Sequence, residues 1–194
     1  MTSSTYVIQD RRQLVALASS ARQEIVDVLP RLGAASVAEI ADALGRPADG
    51  LYYHLRGLQR VGLVVEAGAR RVRGRSEVLY RTIAQTLALR QEPRSIQSSR
   101  ATGKIVASML RLGIRDYRAS IQDPDVRLSG DERELWALRT TGWLSMKQLG
   151  AVNALVRRMI HDVSRPSRKG SKLYAVTLLL TPLDYRHRKK QHAK

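Results

Sequence analysis

The chain contains neither cysteine nor phenylalanine. Without cysteine there is no disulfide, no thiolate metal site and no cysteine nucleophile, which fits a reducing cytosol. Acidic residues are scarce: 17 Asp and Glu stand against 34 Lys and Arg, a formal charge of +17 and a sequence pI of about 11.1. No run approaches the roughly 18 consecutive apolar residues of a membrane span, and the opening MTSSTYVIQDRR has no apolar signal core. Glycine-rich phosphate loops, HExxH, GxSxG and a spaced His/Asp/Ser grouping are all missing, so neither catalytic residues nor a cofactor are expected. The four histidines, His54, His161, His187 and His192, show no metal-ligand spacing. Internal repeats and low-complexity segments are absent as well.

What the chain does have is 194 residues, 43% of them hydrophobic. That length allows one domain or two small ones, and the apolar content is enough for a packed core rather than a disordered polycation. A surplus of positive charge concentrates polyanions, and nucleic acid gains further because each neutralised phosphate releases counterions. The surplus is uneven. Residues 1–85 hold 12 arginines, no lysine and 8 acids, a net of +4, whereas the remainder holds 22 basic residues and 9 acids, a net of +13. In the first part the arginines are bunched, with Arg70, Arg71, Arg73 and Arg75 inside six positions.

The first eighty residues read as three helices and a hairpin. Leu14 to Leu32 has helical apolar spacing with a break near Ser19 and Ser20, and Gly33 ends it. Ser36 and Glu39 have the spacing of a capping box, opening a helix to Leu44 that Gly45 stops. A third helix starts near Ala48. Leu51, Leu55, Leu58 and Val61 recur on one side, leaving Ala48, Asp49, Tyr52, Tyr53, Arg56 and Arg60 on the other, before Gly62 closes it. Two extended stretches, 63–67 and 77–82, flank an arginine loop over 68–76 bounded by glycine. That order predicts a winged helix-turn-helix, with the third helix projecting into a major groove and the hairpin reaching along the backbone.

The segments AASVAEIADALG (34–45), LYYHLRGLQRVGL (51–63) and GRSEVLY (74–80), taken in that order, resemble the ArsR-like winged-helix transcriptional regulators. The likeness covers about residues 15–83 and is carried by His54, Leu55, Leu58, Gly62, Leu63 and the aromatic Tyr80 after the wing. It implies a dimeric, sequence-specific DNA binder. The cysteine site of the metal-sensing members is missing, so the resemblance does not extend to thiophilic metal sensing. Tyr52 and Tyr53 replace the small polar residues usual before the His-Leu pair, so the family's base preferences do not transfer.

The candidate DNA-contacting residues are Ala48, Tyr52, Tyr53, Arg56, Arg70, Arg71, Arg73 and Arg75. Two adjacent helical positions cannot both point into one core, so at least one of Tyr52 and Tyr53 faces solvent, suited to phosphate or a thymine methyl. His54 reads as a structural residue under the helix, and Asp49 as a first-turn carboxylate favoured by the helix dipole. A hairpin tip that only has to turn would carry Asn, Asp or Gly. Four arginines there repel one another without an anionic partner, and a narrow minor groove supplies the strongest negative potential.

The second hundred residues predict a long helix from Ser95 to about Ile121, a strand over 135–144, a helix opened by a capping box at Ser145 and Gln148, and a strand over 173–180. This makes a strand-helix-strand unit. Met109, Trp136, Trp143, Met159 and Tyr174 either pack its core, the better expectation, or line an apolar effector pocket. Asp123, Asp125, Asp131, Glu132 and Glu134 are read as a solvated loop rather than a cation site.

The expected fold class is α+β: a winged helix-turn-helix over 10–84, an α+β dimerisation or sensor module over 85–182 and a basic tail over 183–194. The expected function is transcriptional regulation in the cytoplasm. A homodimer would bind a pseudo-palindromic operator on double-stranded DNA, its two reading helices about 34 Å apart. A small-molecule effector of unknown identity would act through the dimer angle. The rival expectation is a winged-helix nucleoid-binding or protein-interaction scaffold that uses the basic C-terminal surface.

Overall fold

A computed structural model describes residues 5–89, 96–165 and 170–183. The chain begins with β1 (Thr5–Ile8), followed by α1 (Arg11–Leu17), α2 (Ser20–Leu32), α3 (Val37–Leu44) and α4 (Ala48–Arg60). Strands β2 (Val64–Val72), β3 (Arg75–Thr82) and β4 (Thr86–Leu89) come next, then the long α5 (Ile96–Ser120) and α6 (Met146–Val163). The expected break near Ser19 is present: Ser19 is extended (φ −90°, ψ 123°) and separates α1 from α2. Asp10 caps α1 by accepting from the Arg12 amide at 2.7 Å. Gly33 ends α2 at φ 78° and Gly45 ends α3 in the left-handed region at φ 60°, a conformation that costs a Cβ-free residue little.

Helices α1 to α4 close around one apolar centre. Ile25 and Leu29 of α2, Ile40 of α3 and Leu51, Leu55 and Leu58 of α4 are all buried there, with Leu63 and Val64 sealing the hairpin side. β2 and β3 form an antiparallel hairpin, and Ala35 binds it back to the helices through two backbone hydrogen bonds with Tyr80, at 3.0 and 2.8 Å. A second, parallel pair joins β1 to β4, Thr5 opposite Thr86 through Ile8 opposite Leu89. Sequence reasoning missed that pair.

The core does not stop at residue 84. Ile105 of α5 is 3% exposed and belongs to the same apolar cluster. The Gln23 side chain donates to the Ile105 carbonyl at 3.1 Å, and the Ser20 and Ser108 hydroxyls lie 2.9 Å apart. Buried Glu24 holds both Arg46, at 2.6 Å, and Arg115 of α5. The long helix expected in the second half is thus cemented to the helix-turn-helix half by apolar and polar contacts alike.

Three expectations need correction. First, the wing is not a loop over 68–76: β2 and β3 run to a two-residue connection, Arg73 and Gly74, because a bulge between Glu66 and Ala69 absorbs Gly68 at φ 111° and lets pairing resume. Second, within one copy only the helix of the strand-helix-strand unit forms among the described residues. Residues 135–144 and 171–183 run without turn or bend, yet neither belongs to a ladder among the described residues. Extended chain becomes sheet only when a neighbouring backbone pairs with it along a ladder, and the ladders among the described residues are those of β1 with β4 and β2 with β3. Third, Trp136 and Trp143 neither fill a core nor line a pocket: they are 67% and 97% exposed, with Arg133 stacked over the Trp136 ring at 4.3 Å. Met109 alone of that set packs against the apolar cluster.

The expected helix start at Ser95 and the basic tail beyond Leu183, including Arg186 to Lys190, lie outside the described residues. No helix among the described residues is long and apolar enough to cross a membrane. Since Ile105 sits in the shared core, Ile105→Ala is expected to cost about 2–5 kcal/mol of unfolding free energy. Urea titration followed by helical circular dichroism reads this. A drop under about 0.5 kcal/mol, the level of a surface change, would detach α5 from the helix-turn-helix core.

Candidate nucleic-acid interface

The site is built on α3 and α4. At the start of α3 the Ser36 hydroxyl accepts from the Glu39 amide at 3.4 Å, and the Glu39 carboxylate accepts from the Ser36 amide at 2.9 Å. Each group satisfies an amide that the first turn leaves free. α4 then presents two chemically different sides. Leu51, Leu55 and Leu58 are buried, whereas Tyr52 is 46% and Tyr53 70% exposed, with Arg56 also in solvent. Ala48 is half-buried and packs against the apolar cluster, so of the four α4 candidates it offers the least free surface.

Tyr53 is held from the side. Its ring meets His54 edge-on at 5.3 Å between centroids, and the Arg22 guanidinium of α2 lies 5.8 Å from its centroid. Gly57 makes room for that guanidinium, because a Cβ there would approach Arg22 Nη2 to 2.8 Å. Neither Arg22 nor Gly57 was singled out from the sequence. A glycine in mid-helix was the one available signal, since it weakens the helix unless something must come close. His54 is half-buried under α4, as expected, and its Nδ1 has no hydrogen-bond partner. Burial, with the charges of Arg22 and Arg46, pushes its pKa below the ordinary histidine value, so it is neutral at pH 7.

The wing stands beside this surface. Gln59 at the end of α4 donates to Glu66 of β2 at 3.3 Å. Tyr80 of β3 is half-buried; burial raises its phenol pKa, with Glu66 and Tyr52 adding to the rise and Arg56 opposing it. Tyr52, Arg56 and the hairpin therefore share one neighbourhood.

The four wing arginines do different things. Arg70 reaches Glu39 at 3.0 Å and its cross-strand neighbour Glu77 at 3.2 Å. The Ser36 amide first, then Arg70, holds the Glu39 carboxyl below the usual range. Arg70 is thus occupied within the protein and orients the hairpin against α3. Arg71, Arg73 and Arg75 are exposed, and none has an ion-pair partner among the described residues. Arg73 has φ 50° and Gly74 φ 80°, the two left-handed positions of a type I′ hairpin turn. Among the described residues Arg73 is the one non-glycine with positive φ. An arginine at a position that favours Asn, Asp or Gly keeps a charge at the tip at some conformational cost.

Among the described residues no group of three His, Asp or Glu side chains is placed to hold a metal ion. Chemically, the surface offers two phenols, an arginine on α4 and three guanidinium groups on the hairpin without ion-pair partners among the described residues, a set suited to phosphates and base edges. No curated protein matches the chain. Residues 17–67, from the end of α1 into β2, match the family model described as a helix-turn-helix domain, so geometry and similarity together support a DNA-binding regulator built on a helix-turn-helix unit.

Proposed function

We propose that the protein is a transcriptional regulator that binds duplex DNA as a homodimer on a pseudo-palindromic operator. The reading is ArsR-like in its use of a winged helix without a cysteine metal site. Residues 10–84 make the DNA contact and residues 85–182 bring two copies together. α4 enters the major groove, where Tyr52, Tyr53 and Arg56 meet base edges and phosphates. The hairpin tip follows the adjacent backbone or minor groove through Arg71, Arg73 and Arg75. Arg70 serves as the strut that sets the hairpin angle.

The observation that carries this reading is the tip itself. Arg73 occupies a left-handed turn position with no carboxylate partner, next to a helix face whose aromatic side is exposed. A solubilising loop gains nothing from that arrangement, whereas a polyanion neutralises it and releases counterions. The charge of +17 supports a regulator that works on a polyanion, with a working place in the cytoplasm beside the chromosome. An effector would act by binding differently to two arrangements of the paired copies.

Replacing Arg73 and Arg75 together by alanine is expected to weaken binding to every duplex. It should also lower the slope of log affinity against log salt by about two, one for each phosphate that the variant leaves unneutralised. Fluorescence anisotropy over a salt series measures this, and an unaltered slope removes the hairpin from the interface. Tyr52→Ala and Tyr53→Ala, by contrast, are expected to narrow the gap between genomic target fragments and scrambled duplex. That gap is about a thousandfold or more for a specific regulator. Equal affinity of the parent protein for both duplexes at all salt concentrations would instead favour a nucleoid-binding scaffold acting through the basic C-terminal surface.

A further inference from the structure

The second half of the described chain leaves much apolar surface without cover. α6 has no buried residue, although Leu149, Val152, Leu155, Val156, Met159 and Ile160 recur at helical spacing along it. Residues 135–144 and 173–181 run without turn or bend, and no backbone hydrogen bond joins either run to a described residue. The beginnings of the two runs lie side by side: Glu134 accepts from the Tyr174 hydroxyl at 2.5 Å and from Lys172 at 3.1 Å. Farther along, Thr177 lies against α5, its hydroxyl 3.5 Å from where a Cβ on Gly113 would stand.

The exposed area of a single copy is 15528 Å², against about 9,200 Å² for a compact monomer of 21.7 kDa. Granting every undescribed residue the full exposure of an unfolded chain, about 160 Å² each, removes about 4,000 Å² of that excess. Roughly 2,300 Å² per copy is left over, the share that each partner contributes to a large obligate homodimer.

Charge narrows the occupant. The run Leu173–Thr181 carries no charge in a molecule of +17, and Lys172 at its head is already matched by Glu134. A nucleic acid finds no cation there, while an identical copy meets no like charge. A twofold axis perpendicular to a strand places the same strand of a second copy antiparallel to it, so one edge satisfies the same edge of its partner reciprocally. Pro182, which has no amide to donate, marks where pairing stops.

Resting on the two-copy reading above, we propose that Leu173–Thr181 is the strand at which two copies of this chain meet, antiparallel to itself across a twofold axis. Residues 135–144 and α6 then pack on the sheet so formed. The surface that looks unfinished in one copy is completed by the other.

Single-cysteine scanning of 173–180 in the full chain tests this, because the chain has no cysteine of its own. Sedimentation gives the mass of each variant before mild oxidation, non-reducing electrophoresis gives the cross-link, and duplex binding is measured in parallel. The expected result is a two-copy mass and a disulfide-linked dimer centred on one position. At that residue the two copies face each other directly; two residues away the like positions are about 14 Å apart along the strands, beyond the disulfide limit of about 7 Å between Cα atoms. A two-copy mass with no cross-link at any position overturns the inference and leaves the regulator reading standing, with the copies joined elsewhere. A one-copy mass at all concentrations overturns both the inference and the homodimer, and the parallel binding assay shows whether DNA recognition survives without them.

Discussion

Burial of Leu51, Leu55 and Leu58 on one side of α4 is the contact on which the proposed DNA reader depends. A 13-residue helix is marginal alone in water, so packing rather than propensity holds it. Each fully buried leucine contributes about 1.5–3 kcal/mol. Three of them also fix the rotation of the helix about its axis. Once that rotation is set, Tyr52 and Tyr53 have no route inward, and the Arg22 guanidinium wedged at Gly57 supports the Tyr53 flank from behind. The aromatic face is thus a by-product of the leucine face: the same packing that stabilises the unit presents Tyr52 and Tyr53 to solvent.

Glu39 couples that reader to the wing. One carboxylate completes the α3 capping box and receives Arg70 from β2, so the start of the first helix of the turn and the hairpin share a charged group. The Ala35–Tyr80 backbone pair is a second tie between the same parts. With Arg70 bound in this way, the hairpin guanidinium groups left without an ion-pair partner among the described residues are those of Arg71, Arg73 and Arg75. Four arginines that look alike in the sequence divide into one that is ion-paired within the protein and three that stand exposed.

The helical half was legible because its signals are local. Both capping boxes, Ser36 with Glu39 and Ser145 with Gln148, appear where their spacing placed them, and so does the interruption at Ser19. The alternation of buried and exposed residues along α4 followed from the leucine spacing alone. What could not be read was the identity of backbone partners. Residues 135–144 and 173–180 have the apolarity of strands, but composition does not name the neighbour a strand needs. The pairing of β1 with β4 escaped notice for the same reason, as four residues beside the first helix carry no turn signal pointing to Thr86–Leu89. Among the site candidates, the wing arginines were visible as a cluster. The division of labour among them was not, because Glu39 lies thirty-one positions before Arg70 in the chain.

The parallel β1–β4 ladder has a kinetic corollary. Because Thr5 aligns with Thr86, the four helices and the hairpin must all be synthesised before the first strand acquires its mate. Pairings this remote in sequence are slow to close, since the loop entropy is spent before any hydrogen bond returns it. The four helices have partners nearer in sequence, so contact order alone places their assembly before the closing of the β1–β4 pair.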